Sequence, residues 1–168
     1  MKKLLLLPMI VLLVFCACGQ SDKSKRPSPP AKATETTTGG ITVSVDYSQP
    51  AVKGREPGKD IAPYGQVWRT GANEATIFEI SKDAKIEGKS LAAGKYSLYS
   101  IPGKDEWVWI FNKTWNQSGT EYNQADDVFR VTVKPGKSPQ FTERMTFTIK
   151  GGKVSLMWGD VEADFNVQ

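Results

Sequence analysis

From Ile41 onward, apolar residues recur at every second position, and no stretch carries a convincing apolar run at helical spacing. "ITVSVDY" sets Ile41, Val43, Val45 and Tyr47 on one face and Thr42, Ser44 and Asp46 on the other. The same alternation places Phe129, Val131 and Val133 together in "DVFRVTV", and Met145, Phe147 and Ile149 in "ERMTFTIK". "KVSLMW" offers Val154, Leu156 and Trp158, and "DVEADFNV" offers Val161, Ala163, Phe165 and Val167. A period of two is the pattern of a half-buried strand, whose successive side chains point to opposite faces. Turn residues separate the runs: Gly151-Gly152 predicts a tight hairpin, and Ala93-Gly94, Pro102-Gly103 and Gly159-Asp160 predict further turns. "KYSLYSI" and "EWVWIFN" are apolar or aromatic on both faces, which suits central strands. About ten short strands over residues 41–168 predict an all-β chain, a single antiparallel β-sandwich. Residues 112–125, "NKTWNQSGTEYNQA", have no strand pattern and form a long loop, with Trp115 and Tyr122 arguing against plain disorder.

The N-terminal part reads differently. Lys2 and Lys3 precede a nearly unbroken apolar run from Leu4 to Phe15, the length of a signal-peptide core and short for a bilayer span. The run ends in Phe15-Cys16-Ala17-Cys18-Gly19. A small residue directly before a Cys resembles the bacterial lipobox, so residues 1–17 are expected to be a lipoprotein signal peptide and Cys18 the lipidated first mature residue. Cys16 fits poorly, because Phe15 precedes it; an ordinary secretory signal is the alternative. Residues 19–40, "GQSDKSKRPSPPAKATETTTGG", lack hydrophobic periodicity and are rich in Pro, Ser, Thr, Lys and Gly. They are expected to be a disordered tether from the lipidated Cys18 to a domain spanning 41–168, with a mean reach of about 25 Å.

Composition removes several chemistries. The only two cysteines lie in the leader region, and the chain has no His. Disulfides, thiolate or imidazole metal sites and His-dependent triads are therefore excluded from the domain. The net charge of +4 comes from the leader and tether, because residues 41–168 hold 16 basic and 16 acidic residues. A neutral domain gives no electrostatic case for nucleic acid. No cofactor and no metal are expected.

The densest cluster of polar and aromatic residues is "YGQVWRTGANEAT", residues 64–76. A ligand site would use Arg69 on a carboxylate or phosphate, Asn73 and Glu74 on hydroxyls, and Tyr64 or Trp68 on a sugar face. The competing reading pairs Arg69 with Glu74 across a turn while Trp68 fills the core. Tyr96, Tyr99, Trp107, Trp109, Trp115 and Tyr122 form a second aromatic set, to be divided between core and binding. Asp105-Glu106, Asp126-Asp127 and Glu74 supply carboxylates for a hydrolase, although adjacent acids at strand ends are commonly solvated. The spaced acidic loop of a calcium site is absent.

The stretches "SQPAVKGR", "APYGQVWRTGANEAT", "IEGKSLAAGKYSLYSIPGKDEW" and "FRVTVKP" resemble an uncharacterised bacterial lipoprotein family, domain of unknown function 2911. The resemblance runs from about Ser44 to the C-terminus, and Trp68 to Thr76 is its most specific part. It implies secretion or lipid anchoring and a β-rich domain, and no activity, catalytic residue or cofactor. Ala92 stands where a Pro commonly precedes the Ala-Gly turn, leaving a less rigid hairpin.

The expected function is a non-catalytic binding or interaction module, held through the N-terminal lipid to a membrane of the bacterial cell envelope, on the periplasmic or outer side. The expected partners are the membrane and a glycan or envelope protein. The expected ligand-binding residues are Tyr64, Trp68, Arg69, Asn73, Glu74, Trp115 and Tyr122. A carboxylate-dependent hydrolase of envelope glycans and a purely structural lipoprotein are the alternatives.

Overall fold

Two layers of antiparallel strands enclose one aromatic core in the computed structural model, which describes residues 22–168. The expected signal segment 1–17 and Cys18 lie outside the described residues. In chain order the strands are β1 (Pro30–Thr36), β2 (Thr42–Ser48), β3 (Ile77–Ile80), β4 (Ala84–Ile86), β5 (Lys89–Leu91), β6 (Gly94–Ile101), β7 (Trp107–Asn112), β8 (Asp127–Val133), β9 (Gly136–Lys150) and β10 (Lys153–Asn166). One layer is a six-stranded sheet in the order β1-β2-β3-β6-β7-β8. The other is built on the long β9–β10 hairpin. The short β4–β5 hairpin extends it, because Lys85 and Gln168 exchange backbone hydrogen bonds at 2.7 and 2.9 Å. The all-β sandwich expected from the alternation is the fold observed.

The inward residues are those the alternation selects. Val43, Val45 and Tyr47 of β2, Phe78 of β3, and Trp107, Trp109 and Phe111 of β7 meet Met145, Phe147, Leu156 and Phe165 of the hairpin. Phe165 is fully buried and sits edge-on to Trp109, Phe111 and Phe78 at centroid distances of 5.1, 5.4 and 5.6 Å. Each such side chain contributes about 1.5–3 kcal/mol through burial, and edge-to-face pairs add to that.

Two expectations are corrected. Gly159-Asp160 is not a turn between two strands but lies inside β10. The inward positions change parity here, from 154, 156 and 158 to 161, 163, 165 and 167. One continuous strand can do this only through an irregularity. Register shifts flank Gly159, whose φ of +60° is the conformation that glycine adopts freely. The second correction concerns the tether. Residues 30–36 form β1, paired with β2 from Pro30↔Ser48 to Thr36↔Thr42. Its half-buried positions are Ala31, Ala33 and Glu35, too small or too polar to register as a hydrophobic period. A leading Pro and outward Lys32 are the marks of an edge strand.

Residues 22–29 also lie on the domain. Arg26 bonds to Glu74, Asn73 Nδ2 donates to the Ser28 carbonyl at 3.0 Å, and Arg144 Nη1 donates to the Pro27 carbonyl at 3.1 Å. The domain boundary therefore falls well before residue 41, and the segment from Asp22 to Pro29 is a strap across the 64–76 region.

Candidate functional site

The 64–76 segment runs along the end of β6, where Trp68 and Ser100 exchange backbone hydrogen bonds at 2.7 and 2.9 Å in an isolated bridge and the Leu98 N–H donates to the Thr76 carbonyl at 2.8 Å. The bridge turns Trp68 to the core side. Its indole stacks on Trp158 at 5.2 Å and meets Trp107 edge-on at 6.4 Å, and its Nε1 donates to the Gly71 carbonyl at 3.2 Å. The next residue, Arg69, is thereby sent to the opposite, outer side of the sheet. Thr70 then reverses the chain with φ +51°, a rare conformation for a β-branched residue. It is fully buried; its Oγ1 donates to Ser100 Oγ at 3.0 Å, and Thr76 Oγ1 donates to its carbonyl at 2.8 Å.

The 112–125 loop folds over that outer side. The cross-strand register sets Tyr99 of β6, Ile110 of β7 and Arg130 of β8 in one row on the sheet. Tyr99 is buried beneath the loop: its hydroxyl donates to the Glu121 carbonyl at 3.0 Å and accepts from Gln117 Nε2 at 2.9 Å. Burial pushes the Tyr99 hydroxyl above its ordinary pKa. Tyr122 packs on Tyr99 with centroids 4.9 Å apart. The Tyr122 hydroxyl donates to Asp127 Oδ2 at 2.7 Å and accepts from Arg130 Nη2 at 2.6 Å. Burial and the bond to Asp127 push Tyr122 up to about 12, so it stays a protonated donor at neutral pH. Arg130 Nε and Asn112 Nδ2 bond the two oxygens of Asp127 at 3.0 Å each.

The loop closes on the 64–76 segment at Gly119. A Cβ there would lie 2.4 Å from Arg69 Cδ, 2.7 Å from the Asn73 carbonyl oxygen and 3.1 Å from the Glu74 carbonyl carbon. The Gly119 backbone thus packs closely against the Arg69 side chain and the Asn73–Glu74 backbone, leaving no room for a side chain. The expected Arg69–Glu74 pair does not form. Glu74 turns to the strap, where Arg26 Nη1 reaches its two oxygens at 2.9 and 3.0 Å and Lys23 Nζ reaches one at 3.1 Å. The hydrogen bond from Arg26 is the largest cause holding the Glu74 carboxyl down to about 2.

Arg69 is left in a cleft of about 380 Å3, walled by Val67 and Trp68 on one side and by Thr120 and Tyr122 on the other. It makes no ion pair or hydrogen bond with any described residue, and its Nε is buried without a partner. A half-buried guanidinium with all its donors unused is ready for an anionic group. Of the residues expected from the sequence, Arg69 and Tyr122 meet here, and Trp68 lines the cleft with its indole committed to Trp158 and Trp107 in the core. Asn73 and Glu74 line a separate open concavity of about 550 Å3 with Arg26, Asn116, Gln117 and Ser118. Tyr64 and Trp115 line neither. The Tyr64 ring lies against Gly58, with Lys104 Nζ 5.7 Å above it. Trp115 is 38% exposed under Lys95 Nζ at 5.0 Å. The aromatic set divides in the same way, since Trp107 and Trp109 are core.

Sequence reasoning missed Gly119, Thr120 and the Asp127–Arg130 brace. Arg130 was legible as the polar, outward position of "DVFRVTV"; nothing in the sequence points to Gly119. Among the described residues no group of three or more His, Cys, Asp or Glu could hold a metal ion.

No curated protein and no solved structure matches the chain. A family model does match, over residues 28–167, and its start includes β1 and the end of the strap in the domain. The chain belongs to the family described as Protein of unknown function (DUF2911).

Proposed function

We propose that the chain is a lipid-anchored protein of a bacterial cell envelope that binds an envelope component, a glycan or a protein, at the Arg69 cleft and catalyses no reaction. The observation that carries the binding reading is the partnerless guanidinium between two loops that the fold holds rigidly from both sides. Loops of this kind on a β scaffold are where binding residues concentrate. No carboxylate lines the cleft among the described residues, and Asp126 and Asp127 are both tied into hydrogen bonds, so the geometry favours binding over carboxylate-dependent hydrolysis.

The anchor is supported by Ala17-Cys18-Gly19 after the apolar leader. Residues 22–29 lie on the domain, so the chain from Cys18 to Asp22 spans at most about 15 Å when extended. That is shorter than the span of a tether reaching residue 40, and it keeps the domain near the membrane surface.

Mass spectrometry of the mature N-terminus is expected to find a diacyl or triacyl Cys18; an unmodified N-terminus or cleavage before Cys16 would sink the anchor. A glycan and peptidoglycan-fragment array probed with the full chain in detergent is expected to show retention that Arg69→Gln abolishes. Retention equal in wild type and variant would remove the cleft from the function.

A further inference from the structure

We infer that the Arg69 cleft recognises a carboxylate carried on a small polar body, and that its ligand class is acidic saccharide of the uronate type. This rests on the binding reading above and adds the chemistry of the ligand.

Four observations point there. First, the cleft holds one uncompensated cation. Arg130, the other basic residue beside Tyr122, has its Nε and one Nη committed to Asp127 and Tyr122. A single unit of positive charge matches a carboxylate; a phosphate dianion in a half-buried cleft calls for more cations or for a run of backbone N–H groups. Second, the group that is free is a guanidinium. Its planar fork matches the two oxygens of a carboxylate, and its buried, partnerless Nε marks a donor set that no described residue satisfies.

Third, the position of Arg69 is enforced. Thr70 is held at φ +51° by its bonds to Ser100 and Thr76, and the Arg69 side chain lies so close to Gly119 that a Cβ there would collide with Arg69 Cδ. A β-branched residue rarely adopts that conformation, and such strain persists where the surroundings hold it and tends to gather at ligand clamps. Fourth, the remaining walls suit a sugar ring. Tyr122 offers a half-buried aromatic side, Thr120 an exposed hydroxyl, and Val67 an apolar side chain that is 40% exposed. An aromatic face against sugar C–H groups, with a hydroxyl and a charged fork at either end, orients a monosaccharide carrying one carboxylate.

The test is calorimetric titration of the full chain in detergent with trigalacturonate, neutral trigalactoside and inorganic phosphate at fixed ionic strength. The inference expects trigalacturonate to bind at least tenfold more tightly than the other two, and more weakly as salt rises. Arg69→Gln is expected to lose at least tenfold in affinity for trigalacturonate. Arg69→Lys, which keeps the charge and loses the fork, is expected to fall between. A second measurement does not depend on the variants folding. The Arg69 Nε–H resonance of the wild-type chain should shift on saturation with trigalacturonate. No shift there, or equal binding of trigalacturonate and phosphate, overturns the carboxylate assignment. Binding of neutral trigalactoside as tight as trigalacturonate, still lost in Arg69→Gln, overturns the assignment while leaving the binding function standing. No binding of any saccharide overturns the assignment, and the function as well if the wider array is also silent.

Discussion

Gly119→Ala tests whether the 112–125 loop and the 64–76 segment form one rigid clamp. The new methyl would meet three atoms at once. Arg69 Cδ, 2.4 Å away, belongs to a flexible side chain and can retreat. The Asn73 carbonyl oxygen at 2.7 Å and the Glu74 carbonyl carbon at 3.1 Å belong to backbone and cannot retreat without moving the loop. That backbone is tied down by the Glu74–Ser118 bridge and by the Asn73 bond to Ser28. Forcing one extra methyl into such a site costs about 1–3 kcal/mol, and the backbone contacts place the expectation in the upper half of that range. Urea denaturation, compared at constant m, measures it. Combining Gly119→Ala with Arg69→Ala removes only the contact at Cδ. The double variant is therefore expected to recover part of the loss, and the two changes should couple in a double-mutant cycle. A Gly119→Ala protein within about 0.5 kcal/mol of wild type would refute the close packing of Gly119 on the 64–76 segment, since that is the ordinary scatter of surface substitutions.

Arg69→Ala and Glu74→Ala are expected to be additive in the same melts, to within about 0.5 kcal/mol, because the two side chains share no bond and Glu74 is held by Arg26 and Lys23; a larger coupling would restore the pair expected from the sequence. Glu74 has a folded pKa depressed to about 2 from an ordinary 4.5, so its stabilisation of the strap is fully present above about 4.5 and is lost as the pH falls through about 2. Protection factors over residues 23–28, corrected for intrinsic exchange, should therefore fall between those pH values in wild type and fall less in Glu74→Gln, where only Asp22 still titrates in the strap; equal pH profiles would count against the latch. Truncation before residue 37 removes β1, exposes the edge of β2 and discards ladder hydrogen bonds worth about 0.5–1.5 kcal/mol each net, so the thermal midpoint should fall and aggregation rise. An unchanged midpoint would mean that β1 is an ornament on the sheet.

Much of the fold was legible from local pattern. Alternation named the inward residues of β2, β8, β9 and β10, and glycine pairs and Pro-Gly placed the β9–β10 and β6–β7 turns. This works because a strand writes its burial into every second residue, and a tight turn needs particular backbone angles. Where the pattern is weak, the reading failed. β1 buries Ala and Glu rather than large apolar residues, and its pairing depends on the neighbouring edge of β2, which no local window contains. Gly159 looked like a turn because a conformationally free residue in a strand and in a hairpin have the same signature. The change of parity on either side of it was the available sign.

For the cleft, the sequence by itself singled out the 64–76 cluster and the 112–125 loop, from residue types and from the absence of a period. It did not determine which polar groups would face each other. Arg69 and Glu74 are five residues apart with opposite charges, and on that information a pair is reasonable. Only the tertiary structure brought Arg26 and Lys23 from the N-terminal strap to take Glu74, and packed Gly119, from more than forty residues away, against Arg69. The pairing of charges is a non-local decision, made by whichever charged group the fold brings within reach. Here that decision left Arg69 without a partner among the described residues, and the candidate function rests on it.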